Sequence, residues 1–346
     1  MRKPAIALAL CLAIGLAPAA ALEAKEGLVK IVVSETSARV SLYRLTDVAK
    51  GRYEALVFDQ DPRTSFATLA VDGKYYRLGD SSEYRFTVSR TDTGVSVEFR
   101  SASCAVREDI DFAKSEGAAL ADGVRLTFTL ENVSQKDSEL GLRLLVDTWL
   151  AEKSGLHFRT DRRARVAAES EIGKADQDAW ISTPGEKADL MIQLSGGAGE
   201  KADRVLLANW KRLNDEPWGF EANGARGFTL LPYSVNDSAA ALYWNPATVK
   251  RGASRTVSVV LGNFNEKGYP AVSAPADAAT EAIFAQTVLS APGADRGASI
   301  AADLVAARDL ISRIDRALAS GVPPSAEEIA AWNRILDRLE ERKKGY

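Results

Sequence analysis

Two scarcities bound what this 346-residue chain can do: it has two cysteines and a single histidine. Cys11 falls inside the N-terminal apolar run, so Cys104 would be the sole cysteine of a processed chain and no intramolecular disulfide can form. Such a domain must be held by its core, and a lone thiol there is expected to be buried and inert. His157 has no cysteine or histidine partner at ligand spacing, and HExxH and CxxC are absent, which argues against zinc and leaves no metal expected. GxSxG, GxGxxG and the Walker loop are missing as well, so neither a serine-hydrolase elbow nor a phosphate cradle is expected, and no cofactor. Charge is nearly balanced at −3, and becomes −5 if Arg2 and Lys3 are removed, which argues against a nucleic-acid or anionic-membrane surface. Acid/base work by carboxylates is the one catalytic route left open.

The chain opens with a basic start at Arg2 and Lys3, an apolar run from Ala5 to Leu16, and small residues Ala19, Ala20 and Ala21. This is the pattern of a Sec-type signal peptide over 1–21, cleaved after Ala21, and it predicts a periplasmic or secreted protein without a transmembrane span after cleavage. The run is short for a membrane anchor. Cys11 has leucine on both sides, which is the wrong setting for lipidation. Asn132-Val133-Ser134 and Asn236-Asp237-Ser238 match the glycosylation sequon, which matters only in a eukaryotic secretory host, and the Ala-rich signal looks bacterial.

From 25 to 270 the sequence reads as short strands divided by turn residues, which predicts a mainly β domain, a large antiparallel β-sandwich. Val71-Asp72-Gly73-Lys74 is a tight hairpin signal, because Asp-Gly tolerates positive φ. Val124, Leu126, Phe128 and Leu130 alternate with Arg125, Thr127, Thr129 and Glu131, as in a strand with one buried face. NVSQKDSE supplies turn residues, and LGLRLLVDTWL returns as a strand apolar on both faces, so this stretch is read as a central hairpin. GFTLLPY (Gly227–Tyr233) reads as a further strand.

Composition changes near Tyr269. A Pro- and Ala-rich linker covers 271–299, and 300–346 is read as an antiparallel helical hairpin, a C-terminal α-helical addition to the sandwich. Ser325 and Glu328 form a capping box before the second helix, whose apolar stripe is Ile329, Trp332, Ile335, Leu336 and Leu339. That stripe is a face for packing within the chain, for self-association or for a protein partner.

Candidate chemistry is sparse. Asp109 and Asp111 are alternate residues that share one face of a strand, either as a carboxylate pair or on a solvated surface beside Arg107 and Glu108. Asp59 and Asp61 form a similar pair in FDQDP. Asp147 stands among apolar neighbours and must find a hydrogen bond or a cation, Arg143 or a backbone amide being the structural choice. His157, Phe158, Arg159, Arg162 and Arg163 mark the most basic segment, an anion or acidic-partner site or a solvated loop. Trp218 lies in NDEPWGFEANGARG, which reads as a long functional loop or a calcium-binding one, and tryptophans on a sandwich can stack on sugars.

The run DQDPRTSFATLAVDGKYYRLGDSSEYRF, through LTFTLENVS and GLRLLVDTWL to HFRT, resembles extracytoplasmic bacterial proteins of the large β-sandwich (supersandwich) type. SRIDRALASGVPPSAEEIAAWNRILDRLEE is similar to the helical hairpin that ends some spirochaete-type envelope proteins. The resemblance implies an assembly or scaffold component, including parts near flagella, and supplies no catalytic residues. The sequence thus predicts a non-enzymatic interaction protein. Its alternative is a carbohydrate-binding or carbohydrate-cleaving protein that uses carboxylates and tryptophan on a sandwich face, with a glycan as partner.

Overall fold

The computed structural model describes residues 21–60, 63–194, 200–270 and, towards the C-terminus, 303–344 in part. The expected signal peptide up to Ala20, Asp61 and the 271–299 linker lie outside the described residues. Three antiparallel sheets account for the β domain. The first runs in chain order through β1 (Ala21–Glu26), β2 (Val29–Ser34), β3 (Val40–Asp47) and β4 (Arg52–Ala55).

The other two sheets draw on β5 (Phe66–Val71), β6 (Lys74–Arg77), β7 (Arg85–Arg90), β8 (Gly94–Arg100), β9 (Cys104–Ala113), β10 (Gly123–Asn132) and β11 (Ser138–Asp147). They continue with β12 (Arg159–Thr160), β13 (Ser170–Gly173), β14 (Trp180–Thr183), β15 (Leu190–Gln193), β16 (Arg204–Asn209), β17 (Ser238–Val249) and β18 (Ser254–Asn263). Eight strands lie in the order β12-β14-β15-β18-β10-β9-β8-β7, and six in the order β13-β16-β17-β11-β5-β6. A single apolar cluster spans all three sheets, from Ile31 and Leu42 through Val97, Ile110 and Phe128 to Leu69, Leu142 and Trp244. The sandwich expected from strand periodicity is therefore present, built of more pieces than two plain sheets.

The alternation in β10 holds: Val124, Leu126, Phe128 and Leu130 are buried, and Arg125, Thr127 and Glu131 face away from the core. The Val71–Lys74 turn is tight, with Asp72 at φ 47 and Gly73 at φ 80, the double positive φ of a type I′ hairpin. Cys104 is buried, and burial pushes its thiol up to about 12, so it stays protonated and unreactive.

The central hairpin is corrected. β10 pairs with β18 and β9 in the eight-stranded sheet, whereas β11 pairs with β17 and β5 in the six-stranded one. The turn between them is an arch that carries the chain across the sandwich. Buried Asn132 fixes it: its side-chain amide donates to the carbonyls of Lys136 and Val249, and its oxygen accepts from the Ser134 amide and hydroxyl. Two adjacent strands with buried faces can pair with each other or oppose each other across a core; local pattern is the same in both cases.

β11 is buried on both sides because the outer face of its sheet has a lid. Helix α1 (Trp210–Asp215) and the loop 216–227 cover Phe66, Leu145, Leu206 and Tyr243 with Leu213 and Phe220. Under that lid lies Arg143, 1% exposed, donating to the Tyr243 hydroxyl (3.0 Å) and the Leu213 carbonyl (2.7 Å). GFTLLPY is no strand: Leu230 bridges back to Ser234 in a loop that leaves Leu231, Tyr233 and Val235 exposed.

Helix α2 (Ala326–Lys343) is present, while the first expected helix falls partly outside the described residues. Of the expected partner stripe, Ile335 is buried with Leu310, and Ile314, Trp332 and Leu339 pack against that pair. Ile329 and Leu336 remain exposed. Part of that stripe is thus packed within the chain. Among the described residues, no helix is long and apolar enough to cross a membrane.

Candidate functional site

The lid on the six-stranded sheet has two chemically distinct ends, both organised by α1. Asn209 caps that helix by accepting from the Arg212 amide, and its own side-chain amide donates to the Phe228 carbonyl, the Ser234 hydroxyl and the Asp237 carbonyl. One buried amide therefore ties the start of α1 to the loop 228–237.

At that end three carboxylates meet. Asp147 closes β11, and Ser238 opens the neighbouring strand β17, so antiparallel pairing sets Asp147 near Asp237. A one-turn 3-10 helix (Trp149–Ala151) then brings Glu152 back towards both. One oxygen from each of Asp147, Glu152 and Asp237 lies within 4.8 Å of the others. Asp147 is 5% exposed; its Oδ2 accepts from the Thr64 hydroxyl (2.5 Å) and its amide donates to Ser65 Oγ, but Oδ1 has no hydrogen-bond partner. The structural partner expected at Arg143 is not used; that guanidinium faces Tyr243 and Leu213.

Burial raises all three carboxyls. Asp147 is pushed up to about 7, with Asp237 adding repulsion. Glu152 is pushed to about 8 by burial and then by the charges of Asp147 and Asp237, against an opposing hydrogen bond from the Ser238 amide. Asp237 rises by burial too, eased by the Ser234 hydroxyl.

At the other end of α1 lies an open groove of about 740 Å³, lined by Arg212, Asp215, Glu216, Phe220, Glu221, Asn223 and Arg226 among others. Arg204 shapes it by donating to the carbonyls of Trp218 (2.5 Å) and Phe220 (3.3 Å), and Glu169 accepts from Arg212 and from the Asn223 amide. Trp218, next to the groove residue Gly219, stacks flat on Tyr75 at 5.2 Å and 6°, with its edge towards Tyr243. Tyr75 remains 47% exposed.

The other sequence candidates are placed elsewhere. Asp109 and Asp111 do share the outer face of β9, but each is already engaged: Asp109 accepts from Ser96 and Arg107, and Asp111 from Thr93. Their neighbour Glu108 is not beside them on the surface. Strand alternation turns it into the core, where burial pushes it up to about 8. Asp59 receives the Tyr43 hydroxyl.

The basic segment does not form an open anion site. Arg163 and Arg162 converge on buried Asp178 at 2.7 and 3.7 Å, and Arg159 pairs with Asp189 at 3.0 Å. Phe158 is fully buried against Phe228, and His157, 4% exposed, lies over the same ring, with burial lowering its pKa first and Arg165 second. Glu152, Asp237 and the Tyr75–Trp218 stack were not singled out from sequence. Glu152 sits in an unremarkable polar turn, Asp237 inside a sequon, and Tyr75 in a strand remote from Trp218.

No protein-family model matches the chain, and no curated protein does. Solved structures similar to it include a galactose mutarotase related enzyme from Lactobacillus acidophilus, 10% identical, covering 73% of this chain and 100% of that one with a TM-score of 0.43. A galactose mutarotase-like protein from Lactobacillus casei is 10% identical over 71% of this chain and 100% of that one, at 0.43. A 4-alpha-glucanotransferase from Thermococcus litoralis is 7% identical over 70% of this chain and 39% of that one, at 0.37. These findings correct the expectation of a non-enzymatic scaffold, because the similar structures bear the names of carbohydrate-acting proteins and sit with the carbohydrate alternative. At such identities and scores the likeness carries no argument of its own, so the mainly β sandwich rests on the strands described above and a case for sugar has to stand on this chain's own residues.

Proposed function

We propose that the protein binds carbohydrate in the groove at the C-terminal end of α1. The observation that carries this reading is the flat Tyr75–Trp218 stack standing beside a polar groove. A pyranose ring has an apolar face of C–H bonds and a rim of hydroxyls. An aromatic platform takes the face, while carboxylates, amides and guanidinium groups take the rim. Here Tyr75 supplies exposed aromatic surface, and Glu216, Glu221, Asn223 and Arg226 supply donors and acceptors. Glu221 and Arg226 are both exposed, within reach of hydroxyls.

Binding fits better than cleavage. Glu216 and Glu221 lie in solvent, without the enclosure that keeps a catalytic acid protonated. An exported chain would meet such glycans in the periplasm or outside the cell. The test is a glycan array followed by calorimetry with the best oligosaccharide, comparing wild type with Tyr75→Ala. Loss of a surface aromatic at a binding centre should weaken affinity about tenfold while leaving the melting temperature in place. An array without a hit, or a hit that Tyr75→Ala leaves intact, removes the reading.

A further inference from the structure

The three-carboxylate cluster at the opposite end of α1 is not explained by glycan binding. Asp147, Glu152 and Asp237 each bring an acidic oxygen to within 4.8 Å of the others, from the end of β11, the turn after it and the residue before β17. Among the described residues no lysine or arginine forms an ion pair with any of the three. What faces them is neutral: the Thr64 hydroxyl at Asp147, the Ser238 amide at Glu152 and the Ser234 hydroxyl at Asp237. The second observation is independent of the cluster's charge. Asp147, 5% exposed, has an Oδ1 atom shut off from solvent and without a hydrogen-bond partner. A buried carboxylate oxygen in that state is costly, and a cation ligated by it removes the cost.

We propose that Asp147, Glu152 and Asp237 form a site for one divalent cation, with Ca²⁺ the best match. The donors are all oxygen, which selects a hard ion. The sole histidine, His157, lies against Phe228 instead of offering nitrogen. The ligands come from a strand end and two irregular segments, with Glu152 and Asp237 half-buried, so water can complete the shell. Calcium tolerates such a variable shell, whereas magnesium demands a near-ideal octahedron. A cation here clamps the end of β11 to the loop 228–237, and through Asn209 to the start of α1. This proposal is independent of the glycan reading.

The experiment uses the full chain stripped with EDTA and titrated with CaCl₂ by calorimetry, with thermal melts and Tb³⁺ luminescence in parallel. Wild type should take up one Ca²⁺ with a Kd on the order of 0.1 mM, as extracellular sites do. Saturation should raise the melting temperature by about 5 °C. Tb³⁺ emission excited through Trp149, two residues from Asp147, should appear and be displaced by Ca²⁺. Glu152→Gln changes a half-buried residue and should fold, yet lose at least tenfold in affinity. Asp237→Asn gives the same reading from a second segment. No saturable heat and no thermal shift at millimolar Ca²⁺ would overturn the site. So would Ca²⁺ binding that survives both substitutions, or Mg²⁺ binding more tightly than Ca²⁺.

Discussion

On the outer face of the eight-stranded sheet, Asp109 accepts from Ser96 and Arg107, Asp111 from Thr93, and Arg100 pairs with Glu98, all at or near solvent. On the outer face of the six-stranded sheet, Leu145 and Tyr243 are fully buried beneath α1 and the loop 216–227. Around β8 and β9 the first face keeps its carboxylates on regular strands within reach of solvent, and the part that is covered, Met191 and Val260 beneath Tyr269, is apolar. The second is roofed by irregular chain, and the roof creates both an open groove and a partly enclosed acidic cluster. Enclosure rather than the mere presence of carboxylates separates them, because only under a roof do charged groups lose water and acquire properties that a ligand can exploit.

The comparison breaks most sharply if the roof is loosened. Leu213 is fully buried and its carbonyl receives Arg143, so Leu213→Ala leaves a cavity beside a buried guanidinium. Truncation of a buried leucine costs about 3 kcal/mol, read as a lower urea midpoint, and glycan affinity should fall with it. An equivalent loss of stability with binding intact would show that the groove does not depend on the lid.

Glu108 sharpens the contrast between the two faces of β9 itself. Its folded pKa is raised to about 8 by burial, then by Asp109, with Arg39 opposing. Below the unfolded value of about 4.5 both states are protonated and the group contributes nothing against the fold. As pH rises towards about 8 the unfolded chain ionises while folded Glu108 keeps its proton, so stability falls across that window. Glu108→Gln should make the decline shallower and gain on the order of 2 kcal/mol at pH 8 in urea titrations. The slope should not vanish, because Asp147 and Glu152 are raised in the same direction. The smallest effect is on the open face: Asp109→Asn should change stability by less than about 0.5 kcal/mol at any of these pH values, its Arg107 partner being well exposed.

Sequence pattern carried much of the fold and little of the site. Period-2 alternation found β10, and Asp72-Gly73 found its hairpin, since both signals are local. Pairing between Leu126 and Val259 or Ile110 is not local, so the arch at Asn132 has the local pattern of a hairpin. Leu230, Leu231 and Tyr233 imitate a strand in composition, yet Pro232 has no amide to give a ladder and the segment closes on itself at Ser234. Asp147 was legible because a carboxylate amid leucine and valine is conspicuous. Its companions were not: Asp237 is brought to it by β11–β17 pairing, and Tyr75 is brought to Trp218 by β6 lying at the sheet edge beside the lid.

The placement of β18 sets an order of events during biogenesis. That strand, Ser254–Asn263, is wedged between β15 and β10, so the eight-stranded sheet stays split in two until the last part of the β domain arrives. A nascent chain lacking it exposes the Val124–Leu130 ladder as a raw edge, competent to pair with any passing strand. Closure of that sheet must therefore wait until Ser254–Asn263 is available, a slow, long-range step that leaves the edge of β10 unprotected until then.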